Sequence, residues 1–301
     1  MQLEIYIELS IEVQILCKNH FATYRLGRKD DFMFRALTIA GSDTCGGAGI
    51  QADLKSFSAN GVYGMSVITA VTVQNTTGVF GIQDINPEII EGQIDVIFED
   101  IRVDAIKIGM VSQIPSIKAI AKSLRKVEKL PSIVLDPVMI SKSGFNLLSK
   151  DAKDTLVNEL FPLATLITPN LPEAEEILGI EIKTLEEMKE AALKLKELGP
   201  KAVLVKGGHL EGEATDLLFD GKEFIVLQQE RINTTHTHGT GCTLSSAIAA
   251  NLAKNMTMEE AVREGKRYIT IAIEHGFDLG KGVGPTNHFY ELYKKAEMLD
   301  S

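Results

Sequence analysis

The chain has 301 residues, 45% of them hydrophobic, which supports a large core in one or two domains. Its 41 acidic and 31 basic side chains leave a net charge of −10 with no basic run, which argues against nucleic acid or an anionic membrane as partner. The three cysteines, Cys17, Cys45 and Cys242, are too few and too scattered for a disulfide framework or a C-x-x-C metal site. They fit a reducing, cytoplasmic setting, and no apolar run reaches membrane-spanning length.

Residues 1–34 stand apart. From Gln2 to Leu16 apolar and polar residues alternate, a strand period, without the cationic start or cleavage site of a signal peptide. Arg25 to Asp31 is charged and linker-like, and Met33 stands just before the first strong strand. Residues 1–34 are therefore expected to be an extension, either a peripheral strand or sequence upstream of a start at Met33, with no function assigned. Residues 35–301 are expected to form one domain.

In that domain Ala36 to Ala40 predicts a short strand that ends in a Gly-rich loop, Gly41 to Gly49, followed by a helix with Ile50, Leu54 and Phe57 at helical spacing. Tyr63 to Val73 is a continuous β-branched run, as in a strand covered on both faces. Pro87 opens a helix, Val103 to Ile108 is a strand ending at Gly109-Met110, and Ile114 to Leu124 is a helix. Ser132 to Leu135 is a strand ending in Asp136-Pro137, and Ala152 to Leu160 is a helix. Thr165 to Thr168 is a strand ending in Pro169-Asn170-Leu171-Pro172-Glu173. Leu185 to Leu198 is an amphipathic helix stopped by Gly199-Pro200, and Ala202 to Val205 is a strand ending in Lys206-Gly207-Gly208-His209. Asp220-Gly221 joins Thr215–Phe219 to Glu223–Leu227 as a hairpin. Helices from Thr243, from Met258 and from about Asn287 complete the chain. Alternating strands and helices with one hairpin predict an α/β fold: a doubly wound, mostly parallel sheet with helices on both faces.

In such a sheet ligands bind beyond the carboxyl ends of the strands. Asp43, Gln74, Met110, Asp136, Asn170 with Glu173, Lys206 and the Thr237-His238-Gly239-Thr240-Gly241-Cys242 loop all fall at those ends. Taken singly, each is better explained by a turn, a cap or a bend; their joint placement on one edge argues for a site. Gly239 and Gly241 allow a sharp turn and a close approach of backbone to ligand. The helix behind them offers unpaired amides and a positive dipole end, an anion hole. A thiol there, Cys242, is expected to have a lowered pKa and to serve as nucleophile or base. The first Gly-rich loop is neither a Walker A nor a Rossmann fingerprint, and Asp53 just beyond it is either a helix-start charge or a hydrogen-bond partner for a ligand's amino group.

Eight ordered segments resemble one known family: Ala36–Asp43, Gly46–Asp53, Val73–Thr76, Lys107–Met110, Asp136–Met139, Thr168–Ala174, Lys206–His209 and His238–Cys242. The resemblance is to the hydroxymethylpyrimidine/phosphomethylpyrimidine kinases of thiamine biosynthesis, in the ribokinase-like superfamily, and runs from about residue 35 to Gly284–His288. It implies two phosphorylations from MgATP, first of 4-amino-5-hydroxymethyl-2-methylpyrimidine and then of its monophosphate. It implies a pyrimidine pocket of Gly41, Asp53, Gln74, Met110 and Val138, nucleotide contacts from Lys206, Thr237 and Asn170, and Mg²⁺-side carboxylates Asp136 and Glu173. The anion hole and catalytic group are then Gly239, Gly241 and Cys242, in a homodimer. Cys45 departs from the small residue, often Ser, of that family. A pyridoxal or pyridoxine kinase of the same superfamily is the sister reading, against which Gln74 suits an aminopyrimidine. A non-catalytic precursor-binding regulator is the third, against which stand Cys242 and the glycine pair.

Overall fold

The computed structural model describes residues 12–17, 20–25, 33–140, 144, 147–149, 151–208 and 214–299. The chain divides into two compact units, residues 1–34 and 35–301. In the first, β1 (Glu12–Cys17) pairs antiparallel with β2 (His20–Arg25). The expected strand from Gln2 to Leu16 is met among described residues by β1 alone, and Arg25, expected to open a linker, closes β2 instead.

Among the described residues the second unit is built on one sheet of nine strands. Its centre is parallel: β3 (Arg35–Ser42), β6 (Ala105–Ile108), β7 (Ser132–Leu135), β8 (Leu166–Ile167) and β9 (Ala202–Gly207) follow one another across it. β4 (Tyr63–Asn75) lies on the other side of β3, also parallel. These short, continuous apolar runs are what a sheet buried on both faces requires. The antiparallel strands lie at the two margins: β5 (Gly78–Asp84) beside β4, and β10 (Ala214–Phe219) with β11 (Phe224–Gln229) beyond β9. The β4–β5 hairpin adds to the one expected at Asp220-Gly221. It also exposes part of β4, so the expectation of cover on both faces fails there: Val71 and Val73 are 46% and 64% exposed.

The first helical layer holds α2 (Pro87–Asp100), α3 (Ile114–Arg125), α4 (Ala152–Leu160), α5 (Leu171–Leu178) and α6 (Leu185–Glu197). Neighbouring pairs pack as α2 on α3, α3 on α4 and α5 on α6. Their apolar stripes, Ile90 and Ile94 of α2 or Ile117, Ile120 and Leu124 of α3, join Leu37, Ile39, Ile106, Ile108, Ile133 and Leu135 in the main core. The second layer is α1 (Gly49–Ala59), α7 (Thr240–Ala253) and α8 (Met258–Glu274), with α7 packed on β3, β6 and β7 as well as on α1 and α8. α7 is buried nearly all round, which its run of Ala, Leu and Ser permits. A last short helix, α9 (Tyr290–Lys295), follows. Side chains alternate along a strand, so Leu37 and Ile39 enter the main core while Thr38, and Lys107 paired with it across β3–β6, turn toward α1 and α7.

Candidate active site

The chain leaves β3 to one side for β4 and returns on the other side at β6. That reversal of strand order opens a crevice at the carboxyl ends of β3 and β6, and α7 begins beside it. Gly239 caps α7 at φ 77°, in the left-handed region where glycine is at ease, and a Cβ there would overlap the Gly47 carbonyl oxygen. The turn before α7 is thus pressed onto the first Gly-rich loop. A Cβ at Gly241 would sit 3.2 Å from Asp136 Oδ2 and 3.3 Å from Lys206 Nζ, so glycine lets the first turn of α7 close onto that ion pair.

Asp136 follows β7 and is 2% exposed. Its Oδ1 accepts from Lys206 Nζ at 2.7 Å and from Thr168 Oγ1 at 2.9 Å, which leaves Oδ2 toward Gly241. Lys206, near the end of β9, would lose basicity through burial, but Asp136 and Glu173 hold its pKa above the ordinary lysine value. Glu173 and Asn170 form a reciprocal cap at the start of α5: Asn170 N–H donates to Glu173 Oε2 at 2.8 Å, and Glu173 N–H to Asn170 Oδ1 at 2.9 Å. Burial pushes the Glu173 carboxyl up to about 7, the Lys206 ammonium pulling down and the Asp136 carboxylate adding to the rise. The N-terminus of α7, a lysine and two carboxylates therefore meet at one edge. Thr237 lies two residues before Gly239, its carbonyl accepting from the Thr240 hydroxyl at 3.2 Å, and His209 lies outside the described residues.

Beside this edge is a small apolar floor of Ala70, Met110 and Leu147, with Val138 and Ile82 packed against it. Gly41 joins it, because a Cβ there would stand 3.1 Å from Met110 Sδ. Gln74 borders the same turn: the Thr72 hydroxyl donates to the Ser42 carbonyl at 2.7 Å and lies 3.4 Å from Gln74 Oε1. Gly41, Met110, Val138 and Gln74 are thus brought to one neighbourhood.

Asp53 does not belong with them. Its side chain is fully buried, paired with Lys107 Nζ at 2.8 and 2.9 Å, and accepts from Thr38 Oγ1 and Ser246 Oγ, each at 2.6 Å. With those donors in place, it has no part in reading a ligand's amino group. Burial works against the Lys107 charge, but Asp53 foremost, with Cys242 and Asp136, keeps its pKa above the ordinary lysine value. The expected lowering of the Cys242 pKa fails too. Burial pushes that thiol up to about 11; Lys107 pulls it down, while Asp53 and Asp136 push it higher. Burial foremost, with the two carboxylates, outweighs both Lys107 and the end of the helix dipole, whose effect is typically below ~2 kcal/mol.

Asp43, at the end of β3, organises the first loop. Its Oδ1 accepts from Cys45 N–H at 3.0 Å, and its Oδ2 from Gly47 and Ala48 N–H at 3.0 and 2.7 Å. His238 Nε2 stands 2.8 Å from Oδ2. Burial would raise the Asp43 pKa, but hydrogen bonds from His238 and Cys45 foremost hold it at about 2. His238 was readable as part of the Gly-rich segment, yet nothing in its spacing to Asp43, 195 residues away, announces the pair.

A family model described as phosphomethylpyrimidine kinase matches residues 43–287. The chain belongs to that family. It is a phosphotransferase of the α/β class expected from its strand and helix order, and its relatives agree. A hydroxymethylpyrimidine/phosphomethylpyrimidine kinase of Rhizobium meliloti is 52% identical over 263 residues, 86% of this chain and 98% of that protein. The crystal structure of a Clostridium difficile phosphomethylpyrimidine kinase is 53% identical with a TM-score of 0.72, covering 80% of this chain and 99% of that one. An ADP complex of Bacillus subtilis pyridoxal kinase is 42% identical with a TM-score of 0.79, covering 86% and 99%. The family is thus one of nucleotide-using kinases. Among the described residues no helix is long and apolar enough to cross a membrane.

Proposed function

We propose that this protein phosphorylates 4-amino-5-hydroxymethyl-2-methylpyrimidine from ATP and then phosphorylates the monophosphate to the diphosphate, in thiamine biosynthesis. The observation that carries this reading is the closure of the α7 N-terminus onto the Asp136–Lys206 pair beside the Gly41, Met110 and Val138 floor. Phosphoryl transfer asks mainly for positioning and charge neutralisation, which amides and a lysine at one edge supply. Gly239, Gly241 and the first amides of α7 receive the transferred phosphoryl group; Lys206, Thr237 and Asn170 border the nucleotide phosphates. Gln74, whose amide donates and accepts at once, reads the ring's amino group and neighbouring nitrogen.

Asp136 and Glu173 suit Mg²⁺, a hard cation with oxygen ligands: two buried carboxylates lie close enough that Asp136 raises the Glu173 pKa, a strain a cation would relieve. Mg²⁺ held there supplies charge neutralisation at the phosphates. Cys242, a thiol at neutral pH, acts through its minor thiolate on the alcohol's proton. The catalytic unit is residues 35–301; residues 1–34 contribute none of the groups named. The protein works in the cytoplasm as a homodimer, a reading supported by the exposed apolar Val73 and Phe80 on the β4–β5 hairpin.

A second reading, pyridoxal as substrate, is favoured by the 42% identity to the Bacillus subtilis pyridoxal kinase. The two are separated by steady-state kinetics with MgATP and each alcohol. A kcat/KM for the pyrimidine above that for pyridoxal supports the proposal, and the reverse order replaces it with the second reading.

A further inference from the structure

The Asp43–Cys45–His238 cluster is not used by the kinase reading, and its donor set points elsewhere. A thiol, an imidazole and a carboxylate from two separate loops converge so that one ligand atom of each lies within 4.8 Å of the others. Cys45 Sγ is 3.5 Å from His238 Nε2 and 3.1 Å from Asp43 Oδ1, and His238 Nε2 is 2.8 Å from Asp43 Oδ2. Around a tetrahedral Zn²⁺, with its usual bond lengths, S, N and O ligands stand roughly 3.4–3.6 Å apart. The two sulfur separations already lie within about 0.5 Å of that spacing, Cys45 Sγ standing 3.5 Å from His238 Nε2 and 3.1 Å from Asp43 Oδ1.

We infer that Asp43, Cys45 and His238 form a binding site for a thiophilic divalent cation of the Zn²⁺ class, distinct from the Mg²⁺-side carboxylates. Sulfur and imidazole donors select such ions over Mg²⁺, which favours oxygen. The ion takes the place of the two hydrogens that join Asp43 to its neighbours. The Cys45 S–H bond breaks, its proton leaves to solvent, and a sulfur–metal bond forms. His238 gives up its Nε2 proton to solvent, binds through the Nε2 lone pair so freed, and holds its remaining or newly taken proton on Nδ1. Asp43 binds through Oδ1, because Oδ2 remains committed to the Gly47 and Ala48 amides. Three protein ligands leave the fourth position to water, which the half-buried Cys45 admits. The bound ion would tie the first loop to the residue immediately before Gly239, and so fasten the entrance of α7.

The inference does not depend on the kinase reading, because binding is measured without substrate. Metal-free protein is titrated with Co²⁺, followed by absorbance, and then with Zn²⁺. A thiolate-to-cobalt charge-transfer band saturating at one equivalent, bleached by Zn²⁺ and insensitive to excess Mg²⁺, is expected of the unaltered protein. Cys45→Ser should abolish the band and weaken Zn²⁺ binding at least about 100-fold, the upper end of what even an outer-shell partner's loss costs. His238→Gln, which keeps a donor toward Asp43, should weaken Zn²⁺ binding to a like extent. No band in the unaltered protein, or a band that survives Cys45→Ser, overturns the assignment. The first of these results requires no variant to fold.

Discussion

Cys242 makes the sharpest demand on the proposed chemistry. With its pKa raised to about 11, its thiolate is about one part in 10⁴ at pH 7 and about one in 10² at pH 9, one decade per pH unit. A general base contributes typically ~10²–10⁴-fold when ionised, so at pH 7 most of that contribution is held back. The sign follows directly: a group that must lose its proton to act gains activity as pH rises toward its pKa. Phosphorylation of the alcohol should therefore rise between pH 7 and 9, by about twofold for the weakest such base and up to about 50-fold for the strongest. In Cys242→Ala that rise should vanish, so the ratio of unaltered to variant rate, about 1 to 2 at pH 7, should reach about 2 to 100 at pH 9. The second step has a different nucleophile, a phosphate oxygen already ionised near neutral pH because its second pKa is about 6. Its rate should be nearly flat over the window in both proteins. The assay supplies alcohol and monophosphate separately and follows ADP formation at saturating MgATP. Parallel pH profiles for the two proteins on the alcohol would refute the base, and equal losses on both substrates would make Cys242 a shaping residue of the anion hole.

Gln74→Met leaves the ring's polar edge unpaired at a cost of roughly 1–3 kcal/mol, so pyrimidine kcat/KM should fall about ten- to a hundredfold while pyridoxal turnover holds or rises; steady-state kinetics on both alcohols decides it. Lys107→Met strands the Asp53 carboxylate in the core and should cost about 3–5 kcal/mol of stability, read by urea unfolding; an unchanged midpoint would show the pair to be inconsequential. Gly239→Ala adds a left-handed backbone penalty of roughly 1–2 kcal/mol to the overlap with the Gly47 carbonyl, and kcat/KM for ATP should drop by at least about tenfold. Gly92→Ala, in open space on α2, should instead stabilise the fold by up to ~1 kcal/mol.

The parallel centre of the sheet was legible because each of its strands is a short apolar run ending in a polar or Gly-rich turn. β5 was not: Gly78-Val79-Phe80-Gly81 carries two glycines, and the Asn75-Thr76-Thr77 turn lacks a tight-hairpin pair. Its register also shifts between Val73 and Gln74. The placement of Gly239, Gly241, Lys206 and Asp136 on one edge followed from strand order alone. What Asp53 and Cys242 do there did not. The Asp53 partner is a lysine 54 residues away on β6, and lysine is rarely wholly buried unless paired. A helix-terminus argument for Cys242 sees only local backbone, whereas its raised pKa comes first from burial by the packed fold and then from carboxylates that arrive from α1 and the end of β7.

The central claim, two successive phosphorylations of one aminopyrimidine at a single site, is tested most directly by a time course of product mass. The protein is incubated with excess MgATP and the pyrimidine alcohol, and aliquots are read by mass spectrometry. The account predicts that a monophosphate appears first and is consumed as the diphosphate accumulates. A pyrimidine left unphosphorylated, or a reaction that halts at the monophosphate with ATP remaining, would contradict it.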